Sequence, residues 1–221
     1  MKLLQRKIDS ILKEWKKNEN RLPLIVKGAR QVGKTASILQ FAHSNYKNVV
    51  AINFVLQPKY KAIFEEGYEV DDIIRNLTLI DPSLKIEPTN TLIFFDEMQD
   101  CPACATSLKA FKIDGRYDVI CSGSLMGINY QEIESNSVGY KEDYTMHSMD
   151  FEEFLWAKGY DSSFINSLYD KMTTVTPLTR IEMDILEKIF REYMTIGGMP
   201  AVVNQFVSNN NFSGTPKMQQ Q

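Results

Sequence analysis

Long apolar runs are missing from this sequence. No stretch approaches the roughly 18 apolar residues that a membrane span needs, and the opening Met1-Lys2-Leu3-Leu4-Gln5-Arg6-Lys7 has no apolar core of signal-peptide length. A cytoplasmic protein is the expectation. Cysteine is scarce: Cys101, Cys104 and Cys121 are the three present in 221 residues, too few for a disulfide framework, and they fit a reducing compartment. Cys101 and Cys104 do form a C-x-x-C, but no second ligand pair accompanies it and His43 and His147 stand alone. A structural role is therefore favoured over half a zinc site or a redox pair, with Pro102 in the first turn of a helix. A dominant charge is lacking too. Against 28 acidic residues stand 25 basic ones, for a net charge of −3, which gives no long-range attraction to a polyanion and does not suggest nucleic-acid binding by the chain as a whole. No internal repeat is evident.

Hydrophobic residues at 43% and charged residues at 24% are ordinary for a globular protein. The length suits one α/β domain, or a domain of about 150 residues with an appendage. Leu4, Ile8, Ile11, Leu12 and Trp15 recur at helical spacing, which predicts an N-terminal amphipathic helix within residues 1–20, docked on the domain in preference to a membrane surface. Residues 21–149 then alternate strands and helices. Leu22 to Lys27 reads as a buried strand running into glycine, and Lys34 onward as a helix. Val49 to Phe54 is a second strand, and Thr91 to Glu97 is apolar until two carboxylates end it. A helix is expected over 103–112 and a fourth strand over 117–121, closing in Ser122-Gly123-Ser124. Such alternation implies a parallel, doubly wound sheet flanked by helices, with ligands at the carboxyl ends of its strands. From Asp150 the pattern becomes helical: Asp150 and Glu153 make a capping-box start, and 150–207 reads as a helical, lid-like region. Residues 208–221 are mostly Asn, Ser, Gly, Pro and Gln, the composition of a disordered tail.

Gly28-Ala29-Arg30-Gln31-Val32-Gly33-Lys34-Thr35 matches G-x-x-x-x-G-K-[ST], the Walker A pattern. Glycine lets such a loop wrap phosphate oxygens with inward N–H groups, and the helix that opens through Ala36 adds partial positive charge. The expected ligand is ATP with Mg²⁺. Lys34 would bridge the β- and γ-phosphates, Thr35 would place its hydroxyl on Mg²⁺, Asp96 would hold the Mg²⁺ shell, and Glu97 would polarise the attacking water. The fourth strand is expected between the two motif strands. Ser122 or Ser124 at its end would sense the γ-phosphate, with Ser124 carried among the nucleotide contacts; a plain Ser-Gly-Ser turn is the alternative. No arginine is assignable as a finger from sequence. Arg116, Arg180 and Arg191 are candidates, each of a type that is more often a surface residue, and Arg30 within the loop could reach nucleotide or partner, though solvent is the commoner destination.

Gly28 to Thr35, Leu92-Ile-Phe-Phe-Asp-Glu-Met-Gln-Asp-Cys-Pro102, Ser122-Gly-Ser-Leu125, Met149-Asp-Phe-Glu-Glu-Phe-Leu155 and Gly197-Gly-Met-Pro200 occur in this order. In that combination the chain resembles the AAA-like prokaryotic ATPases that carry a C-terminal domain of unknown function, DUF4143, over roughly residues 1–207. The resemblance implies an AAA-type P-loop core with a small helical region, ATP as ligand and a bacterial or archaeal cytoplasm. Family members continue past Gly197-Gly198-Met199-Pro200 into a domain thought to bind DNA or protein partners, so this chain looks like a truncated or degenerate member whose partner site is missing. The leading expectation is an ATPase, slow alone, whose hydrolysis drives or times a change in a partner, with an arginine supplied in trans by a partner or a homo-oligomer. A non-hydrolysing ATP switch is the second reading. A P-loop small-molecule kinase is the third, disfavoured because a carboxylate directly after Asp96 suits activation of water.

Overall fold

Apolar strands without polar alternation must be covered on both faces, and the sheet is built from such strands. The structure is a computed structural model describing residues 3–124 and 139–209. Its chain contacts define two compact units. One comprises Ser10–Arg30 and Lys34–Met146; the other comprises the described parts of Met1–Asp9, Gln31–Gly33 and His147–Gln221. Helix α1 (Lys7–Lys17) starts in the second and ends in the first.

The first unit holds strands β1 (Leu24–Gly28), β2 (Asn48–Asn53), β3 (Thr91–Asp96), β4 (Asp118–Ser124) and β5 (Glu142–Thr145) in one sheet of order β2-β3-β4-β1-β5. All pairings are parallel. Every residue of β1 and β3 is buried. β4 lies between β3 and β1, as expected, and the crossovers run through helices α2 (Lys34–Asn45), α3 (Val70–Ile80) and α4 (Pro102–Asp114). Pro102 opens α4 and Gly115, at φ 70°, closes it in the left-handed region that glycine tolerates best. Register aligns the strand ends: Asn53 stands opposite Asp96, and Gly28 opposite Ser124. Below that edge Phe95 is wedged by Phe54, Phe64 and Phe111 at centroid distances of 5.6, 5.9 and 6.4 Å, which seats the residue next to Asp96. Cys101, Cys104 and Cys121 are free and buried in the same core. Burial raises the Cys101 and Cys104 thiols above the usual value, so they behave as packing residues.

The second unit is helical. Its helices are α5 (Phe151–Ala157), α6 (Ser162–Thr173), α7 (Arg180–Ile196) and α8 (Pro200–Asn209). Asp150 and Glu153 form the anticipated capping box, and Thr179 and Glu182 form another at the start of α7. Phe154, Leu155, Ile165, Ile189, Ile196, Val202, Val203 and Phe206 make one apolar cluster. Gly198 is needed where the chain turns into α8: a Cβ there would meet the Met149 carbonyl oxygen at 2.2 Å. The expected tail falls almost wholly on residues 210–221, outside the described residues, whereas Ser208 and Asn209 end α8. Among the described residues, no helix is long and apolar enough to cross a membrane.

Candidate nucleotide site

The loop between β1 and α2 has the dihedral pattern its composition requires. Gly33 adopts φ 98°, a region that side chains avoid, while Gln31 accepts φ 64° at some cost. Val32 is buried and its carbonyl takes a 2.6 Å hydrogen bond from Arg6 Nη1. The same guanidinium donates to Glu153 Oε1 at 3.0 Å and to the His147 carbonyl at 2.8 Å. Arg6 lies ahead of α1 and belongs to no motif, so no local pattern marks it.

Lys34, the first residue of α2, is buried, and its ammonium donates to the Gly28 and Ala29 carbonyls at 2.9 and 2.7 Å. Burial pushes its pKa below the ordinary lysine value, against the pull of the Glu97 and Asp96 carboxylates, and Arg30 adds to the depression. A phosphate group arriving here would meet a cation already short of hydration. Ala29, Arg30, Gln31 and Ala36 are exposed around it.

Asp96 ends β3 at 5% exposure and collects three side-chain donors. Thr35 Oγ1 lies 3.1 Å from Oδ2 and 3.3 Å from Oδ1, Asn53 Nδ2 lies 2.9 Å from Oδ2, and Ser122 Oγ donates to Oδ1. The structure thus brings Thr35 and Asp96 together. Asn53 belongs to no sequence motif. Its Oδ1 also accepts the Val55 and Leu56 N–H groups at 3.0 and 2.9 Å, so one side chain caps the turn after β2 and steadies Asp96. Of the two serines, Ser122 supports Asp96 through its hydroxyl, and Ser124 presents its backbone N–H to Gln99 Oε1 at 3.2 Å.

Glu97 follows in the left-handed region, φ 55° and ψ 48°. For a non-glycine residue this conformation costs of order 1–3 kcal/mol and persists where its surroundings enforce it, commonly at functional sites. Its Oε2 accepts Gln99 Nε2 at 2.6 Å. Among the arginine candidates, Arg116 is held by Asp114 and Asp71 and Arg191 by Glu187, while Arg30 and Arg180 are exposed.

A parallel sheet of this order, a glycine loop opening a helix after the first strand, and paired carboxylates at the end of β3 define a P-loop NTPase fold of the AAA-like kind. Residues 20–155, more than half of the sequence, match the AAA domain family, and the chain belongs to that family. An uncharacterized protein of Haemophilus influenzae is 21% identical over 179 residues, which is 81% of this chain and 40% of that protein. The match thus covers 40% of that relative's length. Solved structures share the fold. A Walker-type ATPase of Pyrococcus abyssi aligns with a TM-score of 0.53 at 13% identity over 98% of this chain and 71% of its own. AMPPCP-bound DnaA of Aquifex aeolicus aligns with a TM-score of 0.50 at 10% identity over 96% and 62%.

Proposed function

We propose that this protein is a Mg²⁺-dependent ATPase that hydrolyses ATP to ADP and phosphate, and that its turnover drives or times a conformational change in a partner. The observation that carries the reading is the meeting of Thr35 with Asp96 at 3.1 Å, which joins the phosphate loop to the carboxylate pair that ends β3. The donor set fits magnesium, because a hydroxyl and a carboxylate are hard oxygen ligands of the kind the ion takes. Thr35 and Asp96 would hold it, and bound there it neutralises charge on the β- and γ-phosphates.

The chain's own groups do the rest. Backbone N–H groups from Gly28 to Gly33, with Lys34, Thr35 and Ala36 at the start of α2, cradle the phosphates. Lys34 exchanges its two loop carbonyls for phosphate oxygens. Ser124, at the end of β4, senses the γ-phosphate. Glu97 accepts a proton from the attacking water and aligns it. Family membership and the ATPase description of a protein with the same fold support this reading. The partner is a protein or DNA. AMPPCP in DnaA supports an adenine nucleotide as the ligand.

Phosphate release from ATP with magnesium and no added acceptor tests the proposal. Release that requires magnesium is the expected result. Tight binding without release would instead favour a nucleotide switch, and release only with an acceptor would favour a kinase.

A further inference from the structure

Two residues beyond Glu97, the Gln99 amide bridges two strand ends of the site. Its Nε2 donates to Glu97 Oε2 at 2.6 Å and to Asp100 Oδ2 at 3.1 Å, while its Oε1 accepts the Ser124 backbone N–H at 3.2 Å. These partners fix the sense of the amide. Reversed, it would set a carbonyl oxygen against two carboxylates and an NH₂ group against an N–H. Gly123 gives it room on β4: a Cβ there would stand 3.2 Å from Gln99 Oε1 and 3.3 Å from Met98 Cγ.

The turn that carries Gln99 does not need this side chain. Asp100 N–H donates to the Glu97 carbonyl and Cys101 N–H to the Met98 carbonyl, both at 3.0 Å, so the short 3₁₀ turn Met98–Asp100 is closed by backbone alone. A charge-assisted bond of 2.6 Å is of the strong class, and here it immobilises a half-buried side chain against a carboxylate held in left-handed backbone. Engaging Oε2 leaves Oε1 of Glu97 without a hydrogen-bond partner among the described residues.

We propose that Gln99 is the positioning residue for hydrolysis. It fixes the Glu97 carboxylate through one oxygen, turns the other toward the attacking water, and ties that carboxylate to the end of β4 where Ser124 lies. This inference rests on Glu97 as the water-aligning base proposed above. A group held a fraction of an ångström off its productive position transfers protons poorly, so the effect belongs in kcat and not in nucleotide affinity.

Four proteins decide it: the parent, Gln99→Ala, Glu97→Gln and the double variant, each assayed for kcat, KM and MgATP affinity after thermal unfolding confirms the fold. Gln99→Ala is expected to lower kcat about 10- to 100-fold while affinity changes less than about threefold. On the Glu97→Gln background the same change is expected to cost less than about twofold, because the group it positions is already gone. Gln99→Glu, which keeps the length and sets a second carboxylate against Glu97, should lose at least as much as Gln99→Ala and guards against a folding defect particular to alanine. A parental kcat in Gln99→Ala, a loss that follows affinity, or a loss carried over in full onto Glu97→Gln overturns the role of Gln99 alone. A parental rate in Glu97→Gln, or no phosphate release from any of the proteins, overturns the proposed function and this inference with it.

Discussion

Lys34 is where binding charge and local chemistry meet most directly, since a buried ammonium with a depressed pKa gains a partner of opposite charge when phosphate arrives. Lys34→Ala is expected to weaken ATP binding by about 1.5–3 kcal/mol, roughly 10- to 150-fold, while the fold survives. Titration calorimetry with MgATP checks it, and unchanged affinity in a folded variant would remove Lys34 from the phosphate site. Lys34, Thr35, Asp96 and Glu97 were legible because a phosphate loop and a strand ending in two acids are local patterns. Asn53 and Gln99 were not. Asn53 reaches Asp96 only because β2 pairs with β3 in the register that sets those two residues side by side. Gln99 matters through a turn that folds it back on its own neighbours. The two serines, both at the end of one strand, could not be separated without knowing that Ser122 faces Asp96.

At the scale of elements, the Arg6–Glu153 pair secures both the loop carbonyl of Val32 and the start of α5. Both side chains are about 5% exposed or less, so Arg6→Ala would leave a buried carboxylate short of its cation and should cost about 3–5 kcal/mol in denaturant unfolding. An Arg6→Met, Glu153→Leu double variant should recover much of that loss. A single-variant cost below about 1 kcal/mol would show the pair to be incidental. Helix α7 offers a pH test. Hydrogen bonds from Lys171, then from the Thr179 backbone and hydroxyl, pull the Glu182 carboxyl from its ordinary 4.5 down to about 2. A carboxylate depressed in the folded state stabilises it above the unfolded value, and that stabilisation fades as pH falls from about 4.5 through about 2. Unfolding midpoints of the parent and Glu182→Gln should therefore converge over that window and differ above it; parallel curves throughout would contradict the linkage. The capping box at Asp150 and the helical character of residues 150–207 are legible in the sequence because capping boxes and helical periodicity are short-range. Strand β5 could not. Glu142-Asp143-Tyr144-Thr145 is a polar edge strand recruited by backbone pairing to β1 and by Asp143 meeting Lys27 at 3.0 Å, and neither leaves an apolar signature.

The whole molecule joins a phosphate loop and a carboxylate pair to a set of arginines several of which are already engaged. Arg116 and Arg191 sit in ion pairs of their own. An arginine that stabilises the transition state contributes about 10³–10⁵ in rate in related phosphoryl-transfer machines. If a second copy or a partner supplies it, basal turnover should be slow and rise with protein concentration or with that partner. The most direct measurement is single-turnover hydrolysis of ATP by the parent and by Glu97→Gln, at protein concentrations that hold all the nucleotide bound. The expected result is magnesium-dependent phosphate formation by the parent and a rate at least about 100-fold lower in Glu97→Gln, with ATP affinity retained. Hydrolysis that survives Glu97→Gln at the parental rate, or a parent that binds ATP and never forms phosphate, would contradict it.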